Sequence, residues 1–138
     1  MIKNKKGLTL VELLVVIVLI SLLFGLGIPG INRIRENMNK KALNTKINLI
    51  EQAGVLWGQD NKTMLQSNNN CKDKDNNTIK CYKVKIEQLI EDDCLDSEDY
   101  NTIIYRNPMN DENLKDKCVY VYKKNNRVYA YFSISNTC

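Results

Sequence analysis

The sequence contains no histidine. A histidine general base, a serine–histidine–aspartate triad and histidine metal ligation are therefore all excluded. The sequence also has no G-x-x-x-x-G-K and no G-x-G-x-x-G pattern, so neither of these phosphate-binding loops is indicated. None of the five cysteines forms a C-x-x-C pair, which argues against a zinc site and against a thioredoxin-like redox site. We therefore expect a protein that is not an enzyme, with no catalytic residue, no cofactor and no metal ligand.

A strong net charge is also lacking. The formal net charge is +4, and Lys3, Lys5 and Lys6 lie in the first seven residues. Without these three lysines, the 20 basic residues fall to 17 against 16 acidic residues. A nearly neutral chain gives no electrostatic argument for a nucleic-acid partner.

A long apolar segment lies near the N-terminus, from Leu8 to Ile28, and Glu12 is its only charged residue. The segment has the length of about 20 residues that a transmembrane helix needs, and it exceeds the 7–15 apolar residues typical of a signal peptide. The lysines before it favour a cytoplasmic N-terminus. A charge at membrane depth costs about 2.5–3.5 kcal/mol or more, so we expect Glu12 to have a partner.

Residues Lys5 to Glu12 read K-K-G-L-T-L-V-E. This stretch resembles the N-terminus of type IV pilins and of the pseudopilins of type II secretion and competence systems. In that family a prepilin peptidase cuts after the glycine, and the new N-terminus is methylated. The resemblance implies cleavage between Gly7 and Leu8 and methylation of the Leu8 amine. Leu8 stands where the family usually has phenylalanine.

The resemblance also implies an organisation and a function. It divides the chain into a leader (residues 1–7), a transmembrane and assembly helix (8–31) and a pilin-like globular domain that includes the second half of the long helix (32–138). The implied partners are the prepilin peptidase, other pilin subunits, the pilus assembly platform and the membrane. The precursor would lie in the cytoplasmic membrane with its globular domain outside, and the mature chain would join an extracellular fibre.

Two residues carry the implied assembly. In the fibre, the Glu12 carboxylate is expected to meet the Leu8 amine of a neighbouring subunit, because a buried charge needs a partner. Pro29 cannot donate a backbone hydrogen bond, so the helix is expected to bend or lose helicity there. The sequence leaves open whether the fibre serves adhesion, motility, DNA uptake or secretion, and whether the subunit is major or minor. The alternative function is a single-pass surface binding protein that does not polymerise.

The rest of the chain predicts an α+β fold in which the long N-terminal helix packs on a small antiparallel sheet. Apolar residues at helical spacing extend the helix to about Trp57. Residues 59–80 read as a polar loop, and residues 82–86 alternate as a strand. Residues 87–92 read as a helical turn, and residues 102–105 as another short strand. Helical spacing from Leu43 onward places these residues on one apolar face: Leu43, Ile47, Ile50, Gly54 and Trp57.

The C-terminus predicts a β-hairpin. Asn125 and Asn126 can adopt the positive φ values that a two-residue turn requires. The register set by this turn places the tyrosines on one face and small apolar side chains on the other. The facing pairs would be Tyr122 with Tyr129, Tyr120 with Tyr131, Val121 with Ala130, and Val119 with Phe132.

All five cysteines follow the apolar segment, in the part expected to be exported, which favours disulfides in an oxidising location. Their odd number leaves one thiol free or paired between chains. The connectivity is open. A Cys71–Cys81 bond is favoured because it would staple a polar loop, and Cys94–Cys118 is the second pairing considered.

A group of acidic residues between Asp92 and Asp99 has two interpretations. It could bind Ca²⁺, which prefers several oxygen ligands, or it could be a solvated surface loop. Its spacing matches no EF-hand, and the sequence does not decide between the two. The residues are Asp92, Asp93, Asp96, Glu98 and Asp99.

Overall fold

A computed structural model describes residues 9–66, 69–136 and 138. For residues 26–29 it describes the backbone only. The fold is α+β, as predicted. The described residues form two compact units, one ending at Met38 and the other beginning at Asn39. In chain order the elements are α1 (Leu10–Asp60), a 3-10 helix (Met64–Gln66), β1 (Asn69–Lys72), β2 (Thr78–Lys85), α2 (Ile86–Glu91), β3 (Cys118–Lys124) and β4 (Arg127–Tyr131).

The first unit contains the N-terminal part of α1. Within the described part of the chain, no unbroken helix is both long and apolar enough to cross a membrane. One bent pair of helical pieces does meet these requirements of length and composition when the two pieces are taken together. The pieces are Leu10–Gly25 and Gly30–Asp60. The bend falls in the segment that contains Pro29, where a missing backbone donor weakens a helix.

The second unit is a four-stranded sheet in the order β1-β2-β3-β4, with each neighbouring pair antiparallel. The C-terminal part of α1 packs on one face of this sheet. The apolar stripe predicted from Leu43 onward supplies the helix side of the core through Ile50, Ala53 and Trp57, all of them buried. The other large buried members of the core are Leu65, Val84, Ile86, Leu89, Tyr105, Leu114, Val119, Val121 and Phe132.

Two glycines let α1 approach the sheet closely. A Cβ atom on Gly54 would come within 2.8 Å of the Ala130 Cβ, and one on Gly58 would come within 2.6 Å of a Val121 methyl group. Contacts this short require the neighbouring atoms to shift. The absence of a side chain at these positions therefore sets the helix–sheet distance.

The C-terminal hairpin has the predicted register. Asn125 and Asn126 have φ values of 50° and 64°, as a two-residue turn of this kind requires. The pairs Tyr122–Tyr129, Tyr120–Tyr131 and Val121–Ala130 face one another. Val119, Val121 and Phe132 are buried against the helix, whereas Tyr129 is exposed on the other face.

Two expectations about local structure were wrong. Residues 102–105 form no strand, because side chains take up the backbone donors there: the Ser97 hydroxyl accepts from Ile104 N–H, and the Asn113 side chain accepts from Tyr105 N–H. Residues 59–80 are not entirely loop, since they contain the 3-10 helix and β1, which pairs with β2. β1 has the sequence N-N-C-K, which lacks the apolar alternation that identifies a strand.

The cysteines form two disulfides. Cys71 is joined to Cys81, the pairing favoured from the sequence, and this bond links β1 to β2. Cys118 is joined to Cys138 rather than to Cys94, which corrects the second pairing. The Cα atoms of Cys118 and Cys138 are 5.2 Å apart because the C-terminal segment returns to the start of β3. Cys94 is a free thiol whose Sγ donates to the Asp92 carbonyl.

Candidate functional site at the start of the long helix

Glu12 lies in the first turn of α1, where it forms a capping box with Thr9. The Thr9 backbone N–H donates to Glu12 Oε2 at 2.9 Å. In return, the Glu12 backbone N–H donates to the Thr9 hydroxyl at 3.3 Å. The Thr9 hydroxyl is also 3.2 Å from the same carboxylate oxygen. Each residue thus satisfies a backbone donor that the helix start would leave unpaired.

The K-K-G-L-T-L-V-E resemblance predicted a role for Glu12 but none for Thr9. The signal was present, because T-L-V-E from Thr9 to Glu12 fits the capping-box pattern of threonine followed three residues later by glutamate. The carboxylate also lies at the positive end of the helix dipole. Within a single subunit, the expected partner of Glu12 is therefore the helix terminus itself.

Around and after Glu12, residues 10–24 of α1 present apolar side chains to solvent on all sides. Leu10 is 80% exposed, Leu14 is 52% exposed and Phe24 is 70% exposed. A helix that is apolar all round is normally covered by lipid or by other helices. The site therefore consists of one capped carboxylate at the start of an apolar helix that no other described part of the chain covers.

Other predicted site residues are placed differently. Gly7 and Leu8 lie outside the described residues, so the cleavage and methylation positions stay predictions. The backbone of Pro29 lies within α1, and the structure does not describe its side chain.

The acidic residues from Asp92 to Asp99 do not converge on a common point. Glu98 forms an ion pair with Lys46 and accepts the Arg106 backbone N–H, and Asp99 accepts the Asn101 backbone N–H. In the described residues, no three histidine, cysteine, aspartate or glutamate side chains form a group that could hold a metal ion. These carboxylates hold loop backbone in place.

Residues 2–28 match the family model described as the prokaryotic N-terminal methylation motif. The matched range contains Gly7, Leu8 and Glu12. This motif is the hallmark of prepilins of the type IV pilin and pseudopilin family. No curated protein and no solved structure shows significant similarity to the chain.

The chain thus carries the N-terminal signature of a type IV pilin-like prepilin, and that family consists of structural subunits. The motif implies processing by prepilin peptidase and assembly with other pilin subunits. It is consistent with a membrane-anchored precursor that later forms an extracellular fibre.

Proposed function

We propose that this chain is the precursor of a fibre subunit. The precursor lies in the cytoplasmic membrane through residues 8–28, and prepilin peptidase removes residues 1–7. The mature chain then polymerises through its N-terminal helix into a type IV pilus or a pilus-like fibre. The observation that carries this proposal is the match of residues 2–28 to the N-terminal methylation motif.

The exposed helix supports polymerisation on physical grounds. Among the described residues, its apolar side chains are exposed, and burial contributes roughly 25 cal/mol for each Å² of apolar surface removed from water. Lipid covers this surface in the precursor. In a fibre, the same helices would cover one another in a central bundle, with no change in the fold of the globular unit.

Glu12 gives the bundle its register. The Glu12 carboxylate accepts the backbone N–H of Thr9, and Thr9 would be the second residue of the mature chain. In a bundle, the Leu8 amine of a neighbouring subunit would meet this carboxylate in a low-dielectric core. A slip by one helical turn would leave both charges buried and unpaired, which is strongly unfavourable.

The domain organisation follows from this scheme. Residues 1–7 are the leader, residues 8–31 the membrane and assembly helix, and residues 32–138 the domain that stays outside. Two disulfides within residues 69–138 suit an oxidising exterior and a small domain.

The competing function is a membrane-anchored surface binding protein that never polymerises. The two functions differ at the N-terminus, because a prepilin loses residues 1–7 and an anchor keeps them. Intact-mass analysis of the chain from its native host tests this directly. We expect a methylated chain that begins at Leu8, and we expect Gly7→Val to block processing. A wild-type chain that still begins at Met1 would refute the proposal.

A further inference from the structure

Charge is segregated within the globular unit. Residues 86–117, which contain α2 and connect β2 to β3, hold ten of the 16 acidic residues of the chain but only three of the 20 basic ones. The two hairpins, residues 69–85 and 118–131, hold eight basic residues and two acidic ones. The net charges are therefore −7 for the connection and +6 for the hairpins. One of the two hairpin acids, Asp73, is buried and accepts the Asn77 backbone N–H.

The topology separates the acidic connection from the turns of the hairpins. The connection leaves β2 at Lys85 and enters β3 at Cys118, and these two residues face each other at one end of the sheet. Both hairpin turns lie at the opposite end. β3 has seven residues, which span about 20 Å at about 3.3 Å per residue. This length exceeds the Debye length of about 8 Å at physiological salt, so charges at one end of the sheet are largely screened from those at the other end.

The basic end is a compact exposed tip. Lys123, Lys124 and Arg127 flank the Asn125–Asn126 turn, and all three are exposed. Within the described part of the chain, none of the three belongs to an ion pair. Lys62 adds a fourth positive charge, because it borders the same shallow depression as Arg127. We call Lys123, Lys124 and Arg127 the basic tip.

The acidic end offers a matching concave surface. Glu87 and Glu91 lie four residues apart on one face of α2, and they line an open cavity of about 440 Å³. Trp57 and Tyr82, stacked 5.3 Å apart, form another part of its wall. Carboxylates beside an aromatic wall suit a lysine or arginine side chain. Asp93 and Asp96 extend the negative surface, and we call Glu87, Glu91, Asp93 and Asp96 the acidic end.

One of the two lysines at this cavity is directed away from it. Lys83 and Lys85 also border the cavity. Lys83 is directed away from it, since its Nζ lies 5.6 Å from the centre of the Tyr120 ring and 3.5 Å from the Cys138 carbonyl. In the described ranges, the four carboxylates of the acidic end form no ion pair within the subunit.

We propose that the basic tip of one subunit docks on the acidic end of a second copy of the chain. The inference rests on the proposed function, since it names a contact between globular units in the fibre. The basic tip has three positive charges and the acidic end has four negative charges, so a second copy of the chain is a complementary partner. The contact joins two different surfaces, and a contact of this kind can repeat along an open helical fibre without closing into a pair.

Charge reversal tests the docking. Lys123→Glu/Lys124→Glu places negative charge against the acidic end, and Glu91→Lys/Asp93→Lys places positive charge against the basic tip. Each double variant should lower the yield of sheared fibre by about tenfold, because like charges meet in the contact. The fourfold variant that carries both changes restores opposite charges between copies. Its fibre yield should return to within about twofold of the wild type.

A matched control changes net charge elsewhere. Arg35→Glu/Lys41→Glu, at two exposed residues outside both surfaces, alters the net charge by the same amount as the tip variant, and its fibre yield should stay near that of the wild type. Folding is checked in every variant through the fluorescence of Trp57, and processing through the intact mass. Wild-type yield from either folded double variant would overturn the proposal, and so would a fourfold variant that is not rescued. A wild-type chain that is neither cleaved nor assembled would instead refute the proposed function.

Discussion

The indole N–H of Trp57 donates a hydrogen bond of 2.8 Å to the Asp92 carboxylate, which ties α1 to the end of α2. The Gln88 side chain donates to the same oxygen at 3.1 Å. Trp57 is only 4% exposed, so its N–H depends on this acceptor. Asp92, considered from sequence as a possible calcium ligand, thus accepts hydrogen bonds from two side chains of its own subunit.

Asp92→Ala should therefore destabilise the globular unit. The substitution leaves the buried indole N–H without an acceptor, which costs about 1–3 kcal/mol. Asp92→Asn keeps an acceptor oxygen and should cost less. Denaturant unfolding followed by fluorescence measures both, because Trp57 is the only tryptophan of the chain. An alanine variant as stable as the wild type would show that water or another group replaces the carboxylate.

Gly54→Ala should also destabilise the unit. The new methyl group would lie 2.8 Å from the Ala130 Cβ and 2.9 Å from a Val119 methyl, and overpacking of this kind costs about 1–3 kcal/mol. Gly30→Ala is the matched control, since nothing lies within 4 Å of its added Cβ. The same unfolding experiment separates the two, and a stabilised Gly54→Ala would contradict the close helix–sheet contact.

The disulfides predict a defined thiol count. Alkylation without reductant should label Cys94 alone and leave the other four cysteines of the chain unmodified. The reaction should be slow, because burial and the nearby charges of Asp92, Asp60 and Asp93 raise the pKa of the Cys94 thiol. Peptide mapping should recover Cys71 with Cys81 and Cys118 with Cys138.

Breaking the C-terminal disulfide should have a large effect. Cys138→Ser opens a loop with a sequence separation of 20 residues, which should cost about 2–4 kcal/mol. Cys94→Ser removes the free thiol and should leave the unfolding midpoint nearly unchanged. Equal midpoints for the two serine variants would argue against the Cys118–Cys138 bond.

Tyr105 should make stability sensitive to alkaline pH. Burial, followed by the charge of Glu98, raises the pKa of Tyr105 from 10.0 to about 12. Its contribution is fully present below pH 10 and is lost as the pH rises to about 12, because the unfolded chain releases the proton first. Tyr105→Phe should flatten the fall in the unfolding midpoint over this window. A parallel fall in both proteins would assign the loss to other groups.

Glu12→Gln isolates the charge at the start of α1. Glutamine keeps the size and an acceptor for the Thr9 N–H, so membrane insertion should hold or rise while fibre formation falls sharply. Thr9→Ala is the complementary variant: it keeps the charge, costs about 1 kcal/mol of helix capping and should affect fibre yield less. Membrane and sheared-fibre fractions are compared with processing monitored. Normal fibre yield from efficiently processed Glu12→Gln would remove the ion pair from the mechanism.

Sequence patterns predicted the elements whose signals are local. The turn at Asn125–Asn126 and the alternation around it predicted the observed pairs Tyr122–Tyr129, Tyr120–Tyr131 and Val121–Ala130. The apolar stripe ending at Trp57 identified the face of α1 that packs on the sheet. At the N-terminus, the motif identified Glu12, but its capping by Thr9 was overlooked.

Features that depend on distant parts of the chain were not predictable in this way. β1 is polar and is held by pairing with β2 and by the bond between Cys71 and Cys81, so its own residues carry no strand signal. The partner of Cys118 is the last residue of the chain, and only the path of the C-terminal segment brings the two together. Residues 102–105 have strand-like side chains, but Ser97 and Asn113 compete for their backbone donors.

The two disulfides limit how far a subunit under tension can lengthen. They close sequence separations of 10 and 20 residues, and a fully extended chain spans about 3.5 Å per residue. About 100 Å of contour length therefore lies inside the disulfide loops and cannot extend when the globular unit is stretched, unless the disulfides are reduced. If the core of a subunit unfolds while the fibre bears load, the intact disulfides still limit how far that subunit can extend. Reductant would break the disulfides, and the unfolded subunit would then extend further by a measurable length.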